Sequence, residues 1–212
     1  MLKESKVIDF LFNNKPSPFI KKTKLVIYKA KEADIEIVNN IIKDVYSDVV
    51  FVNISNYVAI FIGNKYDIDI HNLFIAISDD LGYEIYAHDA IYINENVSCD
   101  DIIEYVHIYD RCNKTTNMDI ADVGINAKEE DYFKLLDIVS KSNFTYIYKD
   151  VVTIDIIEAL LKNNLNVLQT SKLLYLHRNS ILNKIDIIYK ETGLNIQKFT
   201  NAYLVKQIIS KR

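Results

Sequence analysis

Apolar and polar positions alternate along this chain with two periods, one helical and one extended. Lys3–Asn13 has the helical spacing, with Val7, Ile8, Leu11 and Phe12 on one face, and is ended by Asn13-Asn14 and the Pro16/Pro18 pair. Lys24–Ala30, KLVIYKA, is rich in β-branched and aromatic residues and reads as a strand. Asp34–Tyr46 is again helical, with Ile37, Val38, Ile41, Ile42 and Val45 inside. Val49–Ile62 holds two strands, VVFVNI and YVAIFI, about a turn at Ser55-Asn56. Ile68–Leu81 predicts a helix, Tyr83–Ile93 one strand or a pair of short ones, and Asp100–Cys112 a further helix. The order β-α-β-β-α-β-α, with a hairpin between two βα units, suits an antiparallel or mixed sheet with helices on one face, an α+β layer structure. Thr115–Gly124 reads as a loop, Glu129–Ser142 as a helix with Phe133, Leu136 and Val139 inside, and Asn143–Asp150 as a connection.

Beyond residue 150 the pattern is helical throughout. Thr153 is placed to cap a helix running to Lys162, with Ile154, Ile157, Leu160 and Leu161 inside. Asn166–Gly193 then divides into two short helices around a tight turn. The first starts at Asn166, with Gln169 three residues later as the return half of a capping box, and carries the small Ser171 where a second helix would cross closely. The second begins at His177-Arg178, points Ile181, Ile185 and Ile188 inward, and stops at Gly193. Thr200–Lys211 closes the chain with Leu204, Val205, Ile208 and Ile209 over the helical core. The expected organisation is an N-terminal helix and linker (1–23), an α+β domain (24–114), a connecting loop and helix (115–150), and an all-α domain (151–212).

The face of the second short helix away from its isoleucines offers Arg178, Asn179, Leu182 and Asn183. A helix with a donor-rich first turn, propped on a shorter helix, is the layout of a helix-turn-helix reader whose second helix enters the major groove. In that reading Arg178 forks onto a guanine edge, Asn179 pairs with adenine or supports the turn, and His177 meets a base or a phosphate. Ser180, Lys184 and Lys172 are placed for phosphates, as is Thr170 near the start of the first helix, and Asn183 lies on the same face. Double-stranded DNA is therefore the expected partner, with a homodimer needed to cover enough base pairs.

The wording of this stretch narrows the reading. Leu174-Tyr175-Leu176-His177-Arg178-Asn179-Ser180-Ile181, followed by Thr192-Gly193-Leu194, resembles the C-terminal helix-turn-helix of the PucR/CdaR family of bacterial transcription regulators. The family pattern runs L-[FY]-V-H-R-N-T-L-x-x-R-L and then T-G-L. Leu182 stands where the family usually has a basic residue, and Lys184 replaces an arginine, so this second helix is less basic than its relatives. In CdaR-type regulators a degenerate GGDEF-like domain precedes the helix-turn-helix, and the order of elements over 24–114 is similar to it. The resemblance implies a separate upstream sensing domain in most members. The 23 residues ahead of Lys24 leave no room for one here, so input is expected at the α+β domain or from a partner protein.

Charge supports the division. Residues 151–212 carry nine Lys/Arg against four Asp/Glu, while residues 1–150 carry sixteen against twenty-five, so a basic C-terminal segment follows an acidic body. No apolar run approaches the ~20 residues a membrane span needs, no secretory signal opens the chain, and two cysteines, Cys99 and Cys112, suit a reducing cytoplasm. No cofactor and no metal are expected: Cys99, His107 and Cys112 match no ligand spacing, and the acidic pairs sit at helix ends. A protein-contact regulator with a decayed reader helix, or a metabolite-sensing module, are the alternatives. A diguanylate cyclase would need metal-holding carboxylates on the first strand and a Gly-Gly-Asp/Glu hairpin turn. Here those places hold Tyr28-Lys29-Ala30 and Asn53-Ile54-Ser55-Asn56. Purified protein incubated with GTP is expected to form no cyclic dinucleotide; chromatographic detection of one would overturn the non-enzymatic reading.

Overall fold

Two strands are apolar and buried at nearly every position, so neither of their faces can meet water. They are β1 (Thr23–Lys29) and β3 (Tyr57–Gly63), and they pair antiparallel at the centre of a four-stranded sheet in the order β2-β3-β1-β4. β2 (Val49–Ile54) joins β3 through the tight turn Ser55-Asn56, where Ser55 takes a positive φ of 52°. β4 (Tyr86–Ile93) lies antiparallel to β1 on the other side, with a register irregularity between Lys24 and Val26. The computed structural model describes residues 2–63, 70–112, 120–142 and 144–211. It divides into two compact units, Met1–Ala127 and Lys128–Arg212.

In the first unit, α2 (Ile35–Val45) and α3 (Ile70–Leu81) cross between strands, the split βαβ arrangement. Val38 and Ile42 of α2 and Ile70, Phe74 and Ile77 of α3 pack on Val26, Tyr28, Val58, Ile60 and Ile62 of the central strands. Successive strand residues point to opposite faces, so Leu25, Ile27, Ala59 and Phe61, all buried, need a second cover. α1 (Glu4–Phe12), α4 (Cys99–Cys112) and α5 (Ile120–Asn126) lie on that side, α1 against β2 and α4, α5 against β4. Phe10 meets Phe19 edge-on at 5.5 Å, and Phe19 stacks on Phe61 at 5.3 Å. From α4, Tyr109 stacks on the buried His88 at 4.4 Å, and the Tyr105 hydroxyl lies 2.6 Å from His88 Nε2. The Tyr57 hydroxyl donates to Asp110 at 2.8 Å.

The sheet thus carries helices on both faces, where the order of elements alone suggested one. α1 is rotated relative to its expected face: Val7, Phe10 and Leu11 are buried, whereas Ile8 and Phe12 are exposed. In α2 the stripe is narrower than expected, Ile37 and Val45 facing solvent. Of the expected loop 115–124, residues 115–119 lie outside the described residues and Ile120 onward is helix. The first two residues of the expected helix from Ile68 also lie outside them.

The second unit is all helical: α6 (Glu129–Lys141), α7 (Thr145–Lys149), α8 (Val151–Lys162), α9 (Val167–Leu174), α10 (Arg178–Thr192) and α11 (Phe199–Ser210). α8 packs against α7, α9 and α11, α11 also against α6, and α9 against α10. Leu135, Leu136, Ile138 and Val139 form the inner side of α6, while Phe133 is half exposed beneath the Lys211 ammonium. The stretch read as a plain connection contains α7. α8 begins two residues before the expected cap: Asp150 takes that place, and Thr153 is buried within the first turn, its hydroxyl donating to Asp150 at 2.7 Å. Among the described residues no helix is long and apolar enough to cross a membrane.

One packing contact at the end of β3 is sharp enough to test. A β-carbon on Gly63 would lie 2.3 Å from Asp48 Oδ2 and 3.3 Å from Asp48 Cβ. Asp48 Oδ1 in turn accepts from the Leu2 N–H at 2.8 Å. Gly63→Ala is expected to displace Asp48 and cost ~1–3 kcal/mol in overpacking, seen as a lower midpoint in urea unfolding at unchanged slope. An unchanged midpoint would show that Asp48 yields freely.

Candidate nucleic-acid interface

Each end of the α9–α10 pair is set by a local device. Asn166 Oδ1 accepts from the Gln169 N–H at 3.0 Å, satisfying one of the free amides of the first turn of α9. α9 stops at Tyr175, which is left-handed at φ 53°, ψ 33°, and the Leu176 N–H returns to the Ser171 carbonyl at 3.0 Å. That return bond from the residue after a left-handed one is the Schellman stop. α10 starts three residues on, and its cap is a histidine: His177 Nδ1 accepts from the Asn179 N–H at 3.2 Å. At the far end Gly193 is left-handed at φ 76°, and the Thr192 hydroxyl donates to the Ile188 carbonyl at 2.7 Å.

The inner stripe of α10 is Ile181, Ile185 and Ile188, all buried as the spacing predicts, and Thr192 is buried with them. Arg178, Asn179, Ser180 and Asn183 are exposed on its first two turns, His177 at the cap and Lys172 on α9 are exposed beside them, and Leu182 is half-buried. From Ala159 to Ile185 the chain has no Asp or Glu. The surface around the turn therefore combines amide, hydroxyl, imidazole and guanidinium donors with positive charge, a set suited to phosphates and base edges.

Two of the expected site residues are not on that surface. Thr170 is 0 % exposed, inside the packing of α9, where no phosphate oxygen can reach its hydroxyl. Lys184 is turned to Asp150, Nζ to Oδ2 at 2.5 Å, with both side chains about three-quarters buried (27 % and 24 % exposed). Its ammonium ties the second turn of α10 to the start of α8 and is committed there. The Asp150 carboxyl is pulled down to about 2 by the hydrogen bond from Lys184 and then by that from Thr153. No local pattern singles out Asp150, because its partner lies 34 positions away. Tyr175, read only as a letter of the motif, is 96 % exposed in the turn itself. Its signal was positional, since the residue that ends α9 must be left-handed for the next helix to start so soon.

Among the described residues no group of three or more His, Cys, Asp or Glu is placed to hold a metal ion. Cys99 and Cys112, neither in a disulfide, stand at opposite ends of α4.

Two helices joined by a three-residue turn, with the second capped, buried behind and donor-rich in front, define a helix-turn-helix DNA-binding domain. Residues 153–206 match the family of the PucR C-terminal helix-turn-helix domain, so the C-terminal domain is a helix-turn-helix of the PucR type. Comparison with curated proteins gives no match. Among solved structures, the regulator of polyketide synthase expression from Bifidobacterium adolescentis is similar over 89 % of this chain and 79 % of its own, at 9 % identity and a TM-score of 0.45.

The Asp150–Lys184 pair sets an acid dependence. A carboxyl whose folded pKa is about 2 against an ordinary 3.8 stabilises the fold fully above pH ~4 and loses that contribution as pH falls toward 2. Asp150→Asn is expected to lower the melting temperature at neutral pH and to flatten its fall between pH 4 and 2. Parallel melting curves for wild type and variant across that window would refute the pairing.

Proposed function

We propose that this chain is a sequence-specific regulator that lays the first two turns of α10 in the major groove. The observation that carries the reading is the division of α10: an isoleucine stripe wholly buried, and Arg178, Asn179, Ser180 and Asn183 presented together on the open side. Arg178 at the front of the helix is long enough to fork onto guanine O6 and N7, and Asn179 or Asn183 to pair with adenine. His177 spends Nδ1 on the cap and keeps the other ring nitrogen for a base or phosphate. Lys172 and Ser180 take backbone phosphates.

One such domain covers too few base pairs for useful specificity, so the working form is a homodimer on half-sites ~34 Å apart. The stacked pair Phe199 and Tyr203, both exposed on α11, supports the last helix as its contact. The first unit is the degenerate GGDEF-like domain of this family and the receiver of any signal; its sheet order and hairpin support that assignment. The chain works in the cytoplasm.

The second reading is regulation by protein contact. It is favoured by the weakened basic face, since Leu182 is apolar and Lys184 is occupied by Asp150. Salt separates the two, because binding through several phosphates weakens by about 0.9 logarithmic units per contact for each tenfold rise in salt. Selection of genomic fragments by the full-length protein at low and physiological salt is expected to enrich a two-fold-symmetric site at both. Recovery only at low salt without a common site would favour the protein-contact reading. On the enriched site, Arg178→Ala is expected to cost ~1–3 kcal/mol and relax preference at one base pair. A uniform loss over all sequences, measured by anisotropy titration, would remove Arg178 as a base reader.

A further inference from the structure

Tyr175 holds a backbone conformation that glycine adopts freely and that a β-carbon opposes. The fold gains little from the ring in exchange. At 96 % exposure it is the most open of the large apolar side chains among the described residues, so it contributes almost nothing to the core. Strain kept at an exposed position without a packing return points to a contact made with something else.

The surroundings say what kind of contact. Tyr175 follows exposed Lys172 by three residues and precedes exposed Arg178 by three, with the His177 cap between. It stands within the stretch Ala159–Ile185 that has no carboxylate to repel an anion. The residue that joins two reader helices is carried to the rim of the groove when the second helix enters by its first turn, and the rim is lined with phosphates. A tyrosine there extends a neutral hydroxyl donor on a flat, rigid stem.

We propose that the Tyr175 hydroxyl donates to a DNA backbone phosphate at the edge of the groove, so fixing the depth and angle at which α10 presents Arg178 and Asn179. Tyr175 is a positioning residue, and the assignment rests on the groove reading of α10. Because the donor is uncharged, it releases no counterion and carries no sequence information.

The test uses full-length wild type, Tyr175→Phe and Tyr175→Gly, each followed by thermal melting and by anisotropy titration on the enriched duplex and on a scrambled one. Tyr175→Phe is expected to bind both duplexes roughly 10- to 150-fold more weakly, the worth of one hydrogen bond to a charged group, with an unchanged salt slope. Tyr175→Gly is expected to melt higher than wild type, because glycine relieves the left-handed strain, and yet to bind at least as weakly as the Phe variant. Stability and affinity moving in opposite directions excludes a folding defect as the cause. A Phe variant that binds like wild type overturns the hydroxyl contact. A loss confined to the enriched duplex overturns it in favour of base reading, and a Gly variant that melts no higher removes the strain from which it was inferred. Wild type that binds neither duplex overturns the groove reading of α10, and this assignment with it, whereas the preceding outcomes leave that reading standing.

Discussion

A helix that leaves its polar front exposed has to be held from behind and from its ends. α10 meets that constraint with separate devices. Ile181, Ile185 and Ile188 hold it by burial, His177 caps its start, Gly193 turns the chain at its end, and the Asp150–Lys184 pair anchors its second turn to α8. Each acts on a side of the helix other than the one that carries Arg178, Asn179 and Asn183. The ion pair joins positions 34 residues apart, so it ties α10 to a distant part of the chain. In that arrangement the Lys184 ammonium is turned to Asp150 and holds α10 in the fold.

The first unit solves a different problem by similar means. Its central strands are apolar on both faces, so the sheet is stable only when sandwiched, by α2 and α3 on one side and by α1, α4 and α5 on the other. The second layer brings polar groups inside with it: His88 is fully buried against Tyr105 and Tyr109, its Nε2 2.6 Å from the Tyr105 hydroxyl. Buried polar groups of this kind fix register and rotation more tightly than aliphatic packing does.

The two ends of the turn between α9 and α10 show how local chemistry and function share residues. His177 is at once helix cap and candidate contact, and the two uses fall on different ring nitrogens. Tyr175 is at once the left-handed stop of α9 and a side chain almost wholly open to solvent. At these two positions one residue sets both the geometry of the turn and the surface it presents.

Periodicity, turn residues and caps are local, and so they were legible directly: the β2–β3 hairpin about Ser55-Asn56, the Asn166 cap, the isoleucine stripe of α10 and the Gly193 stop all follow from residues within a few positions of one another. The amino-acid sequence by itself therefore determined the helix-turn-helix and the strand order in time. Which face of each helix goes inward was less legible where apolar residues surround the helix. In α1 both Ile8 and Phe10 were eligible, and only the position of Phe19 and the sheet selected Phe10. Which polar side chains remain available was decided by tertiary structure alone. Thr170 looked like a phosphate contact until α9 was packed with Thr170 inward, and Lys184 until Asp150 arrived beside it from 34 residues away. Burial and ion pairing are properties of neighbours in space, and the chain order does not hold them.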